Sequence, residues 1–141
     1  MMQTFDSDKA PEPVGSYPHA KVAGPFLYLS GVGPRTRNSD EIPGVELDED
    51  GEIIWYDIEE QCHSVFSNVR NILEASGARW EDLIDITVFL TDMKKDFKRF
   101  NQIYAEYFRD HQPCRTTVEV NALPTPISIE LKCIAYIGDR E

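Results

Sequence analysis

The sequence predicts an α+β domain in which two helices pack on one face of a mixed sheet. Apolar residues recur at helical spacing in two windows and alternate every second residue in several others, giving the order β-β-(β)-α-β-α-β-β. Two helices can cover only one face of such a sheet. The chain has 141 residues, which fits a single domain spanning 1–141.

Residues 1–13 are polar and include Pro11 and Pro13, so they read as a loose lead-in. Residues 20–30 are apolar and β-prone, interrupted by Gly24-Pro25, which predicts a hairpin with 26–29 as its second strand. A loop rich in Gly, Pro, Asn and Asp runs from Gly31 to about Gly51; loops of that length are often functional. Residues 52–55 read as a short edge strand. Asp57 followed by Glu60 reads as a capping box. Ile58, Cys62, Val65, Phe66, Val69, Ile72 and Leu73 then form one apolar helical stripe, ended by Gly77.

Ile84, Ile86, Val88 and Leu90 alternate with Asp85, Thr87 and Phe89, which is a strand pattern. A second helix carries Phe97, Phe100, Ile103, Tyr104, Tyr107 and Phe108 on one side, with Pro113 as its stop. Strands at about 115–121 and 127–137 close the chain around a turn with Pro124 and Pro126. Parity along the strands groups Asp85, Thr87, Phe89, Arg115, Thr117, Glu119, Ser128, Glu130 and Lys132 on one face. Val118, Val120, Ile129, Leu131, Cys133 and Ala135 fall on the other, against the helices. The polar face meets either water or other subunits.

Hydrophobic residues make up 41% and charged residues 28% of the chain, which excludes a disordered segment. The net charge of −11 makes nucleic acid a poor partner, because binding it needs a basic face. No apolar run is long enough to span a membrane. Three cysteines without a Cys-x-x-Cys pair argue against a disulfide framework. With no signal-peptide pattern, they point to a reduced, cytoplasmic protein. His19, His63 and His111 are far apart in the chain, so no metal is expected, and phosphate-cradling glycine motifs are absent.

Arg115 begins a strand straight after Pro113-Cys114, at the sheet rim. Its planar fork suits a substrate carboxylate or a salt bridge to an acid such as Glu130. Glu130 fits an acid, base or water-holding role, or an ion pair. Tyr17, in the turn Gly15-Ser16-Tyr17-Pro18-His19, fits a pocket cap or simple packing. His19 fits an acid–base group or a polar strand-end residue. Cys114 fits a pocket wall better than a nucleophile, since no base stands beside it in the sequence.

Seven strings then fall in order: Pro13-Val14-Gly15-Ser16-Tyr17, Leu29-Ser30-Gly31, Thr87-Val88-Phe89-Leu90, Asn101-Gln102-Ile103-Tyr104, Pro113-Cys114-Arg115-Thr116-Thr117-Val118-Glu119-Val120, Leu123-Pro124 and Ile129-Glu130. Together they resemble the reactive intermediate deaminase family, also called YjgF or UK114-like, over residues 10–138. The resemblance implies a chorismate-mutase-like α+β subunit, assembled as a homotrimer with its sites in the clefts between subunits. It implies hydrolysis of enamines and imines of 2-amino acids to 2-oxo acids and ammonia, without a cofactor. It assigns Arg115 to substrate binding, Glu130 to water positioning, Tyr17 to the pocket, Phe89 to its aromatic wall and the Gly31 amide to ligand contact.

The chain departs from the family pattern at Pro18-His19, at Val32-Gly33-Pro34-Arg35, at Cys114 and in the loop 35–51. The set Tyr17-Pro18-His19, Ser30-Gly31-Val32-Gly33-Pro34-Arg35 and Arg115-Thr116-Thr117-Val118-Glu119-Val120 resembles the 2-aminomuconate deaminase branch, whose dicarboxylate substrate becomes 4-oxalocrotonate. On that reading Arg115 binds the carboxylate beside the amine-bearing carbon, and Arg35 or His19 reaches the far one. His19 is then also the candidate proton donor, and Cys114 lines the pocket.

Overall fold

The structure, a computed structural model, describes residues 2–138. Met1 and residues 139–141, part of the single domain expected from the sequence, lie outside the described residues. The elements are β1 (Gln3–Phe5), β2 (Ala20–Ala23), β3 (Phe26–Leu29), β4 (Val45–Leu47), β5 (Ile53–Tyr56), α1 (Ile58–Ala75), β6 (Leu83–Leu90), α2 (Met93–Tyr107), β7 (Cys114–Glu119) and β8 (Ile129–Tyr136). Six strands form one sheet in the order β1-β2-β3-β8-β6-β7, while β4 and β5 pair separately. The β6–β7 pair is parallel and the other pairs are antiparallel, so the sheet is mixed. Parallel neighbours need a long crossover, and α2 supplies it.

The expected hairpin is β2–β3, with Ala23 opposite Phe26. Gly24 takes a φ of 60° at the first turn position, a conformation that suits a primed hairpin turn and that only glycine adopts freely. Asp57 caps α1 by accepting from the Glu59 amide rather than through the expected box with Glu60. The predicted stripe is buried along its length: Cys62, Val65, Phe66, Val69, Ile72 and Leu73 are each 2% exposed or less. It packs on Ile86, Val88, Leu90, Leu131, Cys133 and Ala135, all 1% exposed or less, so the core lies between one sheet face and the helices. Full burial of each large apolar side chain is worth about 1.5–3 kcal/mol.

Several sequence expectations are corrected. The lead-in is not loose, because Gln3–Phe5 adds to the hairpin as an edge strand and Ser7 and Ala10 are buried behind it. The long loop contains β4, which pairs with the expected edge strand. Ile84 is 38% exposed, out of step with Ile86, because the β6–β8 register shifts between Leu83 and Asp85. Helix α2 ends at a Phe108 cap, ahead of Pro113.

The largest correction concerns β7. Ile86 stands opposite both Arg115 and Cys133, and Val88 opposite both Thr117 and Leu131. Directly paired residues point to the same side of a sheet, so Arg115, Thr117 and Glu119 lie on the helix side. The open face carries Cys114, Thr116 and Val118 instead, beside Asp85, Thr87 and Phe89 and then Ile134, Lys132 and Glu130.

Candidate active site

Beyond β3 the chain returns to the sheet through a two-way bridge. The Val32 amide donates to the Leu131 carbonyl and the Leu131 amide to the Val32 carbonyl, each at 2.8 Å. That bridge lays Gly31 against the side chain of Glu130. A Cβ at position 31 would stand 2.9 Å from Glu130 Oε2, so any larger residue there would push the end of the Glu130 side chain aside. From β6, Phe89 stands directly opposite Glu130 and shares its face.

Glu130 is half-buried. Among the described residues its carboxylate makes no hydrogen bond and no ion pair. Burial holds its carboxyl above the ordinary carboxylate range, because a charge out of water is disfavoured. Lys132, two residues along β8, is turned away and donates to the Leu29 carbonyl. A cleft runs past Glu130, lined also by Tyr17, Gly31, Arg35, Pro124 and Ile127. Tyr17 is 40% exposed, and its hydroxyl accepts from the Val14 amide at 3.2 Å. The expected residues Tyr17, Gly31, Arg35, Phe89 and Glu130 are therefore brought together.

Arg115 is not with them. It lies on the other side of the sheet, on the edge strand β7. Its row crosses β8 at Cys133, about 10 Å along the strand from Glu130. The open alternative of an Arg115–Glu130 salt bridge is thereby removed. The guanidinium instead rests on α2: its carbon lies 4.6, 5.3 and 5.9 Å from the ring centroids of Tyr104, Phe100 and Phe97. Its Nη1 donates to Asn101 Oδ1 at 2.9 Å. Aromatic faces attract the cation and the amide orients it, leaving further donors of the fork for an incoming anion.

Cys114 is exposed at the start of β7, opposite Asp85, on the open face and well along it from Glu130. His19 is 6% exposed and its ring is committed to backbone groups. Nδ1 accepts from the Ser7 amide at 2.9 Å, and Nε2 lies 2.7 Å from the Pro11 carbonyl, to which it donates in the matching tautomer. It lines a second small cavity with Tyr17, Gly31 and Arg35, but both ring nitrogens already have backbone partners. The proton-donor role loses its atoms.

The sequence reading missed the residues that support the cleft. Ser64 donates to the Pro34 carbonyl, and Asn68 Nδ2 donates to the carbonyls of Gly33 and Arg35, at 2.7–2.8 Å. Helix α1 thus fixes the loop that carries Arg35. The available signal was a polar residue, Asn68, lying within the apolar stripe. Asn101 was quoted within a motif without a role. Among the described residues no three His, Cys, Asp or Glu side chains are grouped to hold a metal.

Residues 7–137 match the family described as endoribonuclease L-PSP. The chain belongs to that family. A RutC family protein of Pyrococcus horikoshii is 39% identical over 96% of this chain and 98% of its own length. Reactive Intermediate Deaminase A, a chloroplastic protein of Arabidopsis thaliana, is 37% identical over 96% of this chain and 66% of its own. Among solved structures, that of yeast YEO7 has a TM-score of 0.84 and 30% identity, covering 99% of this chain and 100% of that one. E. coli TdcF with bound serine has a TM-score of 0.81 and 29% identity, covering 95% and 98%. The family resemblance read from the motifs and the two-helix α+β fold are both shown. No helix among the described residues is long and apolar enough to cross a membrane. One relative at 36% identity, Mmf1 of Saccharomyces cerevisiae, is named as mitochondrial.

Proposed function

We propose that the chain hydrolyses 2-imino acids, and enamines through their imine tautomers, to 2-oxo acids and ammonia. The observation that carries this reading is the Glu130 carboxylate: half-buried, unpartnered, raised by burial and set against Gly31. A carboxylate so placed can hold a water molecule and accept its proton. The water oxygen adds to C2 of the protonated imine, and Glu130 takes a proton. The carbinolamine nitrogen then takes that proton back from Glu130, the C2–N bond breaks to release ammonia, the hydroxyl proton passes to solvent, and the 2-oxo acid remains with the carboxylate restored. Arg115 binds the carboxylate at C1 and fixes C2 for attack. Imine hydrolysis is intrinsically facile, so acid–base help of roughly 10²–10⁴-fold is enough.

The reading requires Arg115 and Glu130 to meet one small substrate, yet in one chain they face opposite sides of the sheet. We therefore place the complete site between two copies of the chain, in the homotrimer that the family resemblance implies. The edge position of Arg115 and the open face around Glu130 support that arrangement. The serine bound to TdcF, a 2-amino acid, suits the same chemistry. The family description names an endoribonuclease, but a net charge of −11 sets this chain against binding RNA.

A narrower reading takes 2-aminomuconate as the substrate. It rests on Arg35, a second cation in the same cleft as Glu130. The names of the relatives reported above point to the general class and not to that dicarboxylate. Ammonia release from a short 2-iminobutanoate-like substrate, measured against its spontaneous rate, tests the general reading. The wild-type protein should exceed that rate, and Arg115→Ala and Glu130→Gln should each fall close to it. Equal release by all three proteins would refute the proposal. Faster turnover of 2-aminomuconate than of the short imine would favour the narrower substrate.

A further inference from the structure

Residues 7–12 run beside the cleft, where Ala10 and Pro11 line the second small cavity that shares Tyr17, Gly31 and Arg35 with it, and they are held by two side chains from elsewhere in the chain. Arg37 donates from Nε to the Ala10 carbonyl at 2.8 Å, from Nη2 to the Ser7 carbonyl at 2.9 Å and from Nη1 to Glu12 Oε1 at 3.1 Å. His19 adds its contacts with the Ser7 amide and the Pro11 carbonyl. Asp6 Oδ1, in turn, accepts from the His19 amide at 3.1 Å. Ser7 is 3% exposed and Ala10 fully buried, so the segment is part of the wall and not a surface tail.

Arg35 and Arg37 are two residues apart and divide the work. Arg37 spends its fork on the segment. The Arg35 side chain makes one hydrogen bond among the described residues, from Nη2 to the Glu12 carbonyl at 2.9 Å. A guanidinium has five N–H donors, so most of the Arg35 fork is unspent where it lines the cleft with Glu130 and Tyr17. The Glu12 carbonyl is the contact that orients Arg35, and the residues around it are braced by Arg37, through the Ala10 carbonyl and the Glu12 carboxylate, and by His19, through the Pro11 carbonyl.

We propose that Arg37, with His19, is a positioning residue for specificity: it clamps residues 7–12 into a strap whose Glu12 carbonyl aims Arg35 at the far end of the bound molecule. The preferred substrate is then an imino acid with a second anionic group remote from C2, a refinement that rests on the imino-acid reading. Arg37 touches neither the reacting carbon nor the C1 carboxylate.

The test uses the intact protein and two inert product-like probes, 2-oxoglutarate and 2-oxobutanoate, titrated by calorimetry. The dicarboxylate should bind wild type more tightly than the monocarboxylate. Arg37→Ala should reduce dicarboxylate affinity about 10-fold, the scale of one hydrogen bond to a charged group, and leave monocarboxylate affinity unchanged, while Arg35→Ala should lose at least as much dicarboxylate affinity. The double variant should be no worse than Arg35→Ala alone. Additive losses, equal losses on both probes, or no preference in wild type would overturn the proposal. Hydrogen exchange supplies a second arm: the Ser7 and Ala10 amides should exchange faster in Arg37→Ala and not in Arg35→Ala. Unchanged exchange in Arg37→Ala would remove the clamp. Imine turnover is scored separately, so a wild-type protein that binds the probes with the expected preference but releases no ammonia would sink the deaminase reading alone.

Discussion

The Glu130 cleft and the Arg115 edge are treated in opposite ways by the same fold. Glu130 is drawn out of water and given no partner, so its carboxyl is pushed toward the neutral form. Arg115 is given three aromatic rings and an amide, which orient a charge that stays at the sheet rim. A base gains from being left poorly satisfied, since its proton affinity rises toward the working pH. An anion clamp gains from being held still, since less side-chain freedom is lost when the carboxylate arrives. Under the proposed function, the contrast makes the two residues half-sites on opposite faces of one sheet, one left poorly satisfied and the other held still.

The sharpest way to break that comparison is to mix two inactive variants. Arg115→Ala and Glu130→Gln should each be nearly inactive alone. Co-assembled in equal amounts they should recover about a quarter of wild-type activity, because random mixing gives that share of interfaces an intact residue from each side. No recovery after verified co-assembly would mean that the two residues do not meet across subunits.

Gly31→Ala should come next in size. Its Cβ would stand 2.9 Å from Glu130 Oε2, so the carboxylate must shift. A displacement of about 1 Å at a reacting group costs on the order of 10²-fold, expected here in kcat with folding retained. A thermal melt beside the kinetics separates the two effects.

The pH profile follows from the raised Glu130. Its ionised form holds and deprotonates water, so kcat should fall about 10-fold per pH unit below its folded pKa, with the break above the ordinary 4.5. The stability sign is opposite. An acid with a raised folded pKa costs the folded state stability as pH rises through that value, and the cost is relieved on acidification. Glu130→Gln should therefore melt slightly above wild type at neutral pH while being inactive. A wild-type activity break at or below 4.5 would show that burial does not tune this group.

The smallest effect belongs to Asn101→Ala. It removes the hydrogen bond to Arg115 but leaves the aromatic bed, so KM should rise about 10-fold or less with kcat nearly unchanged. A loss as large as that of Arg115→Ala would mean that the rings contribute little to holding the arginine.

Much of this fold is legible in the sequence because it rests on local periodicity. The stripe from Cys62 to Leu73 can bury only as a helix, and Gly24-Pro25 between two apolar runs makes a hairpin turn. The strings around Gly31, Arg115 and Glu130 likewise pointed to the right family and to the cluster at Glu130. What local pattern could not supply was the relation between elements. The N-terminal segment looked loose because Ser7, Ala10 and Pro11 are held by side chains of Arg37 and His19, contacts that no local pattern displays. Strand β7 reads Cys-Arg-Thr-Thr-Val-Glu, with too little apolar contrast to say which parity faces inward. A slip of one residue turns every side chain to the other face, and the pairing of Arg115 with Ile86 made that choice. Likewise His19 looked available as a proton donor because a sequence shows the ring and not the two backbone groups that contact it. The sequence by itself determined the two helices, the main strands of the sheet and the family, because these depend on residue type and near-neighbour spacing. Only the tertiary structure decided that Arg115 and Glu130 stand back to back, because sheet register is set by hydrogen bonds between segments distant in the chain.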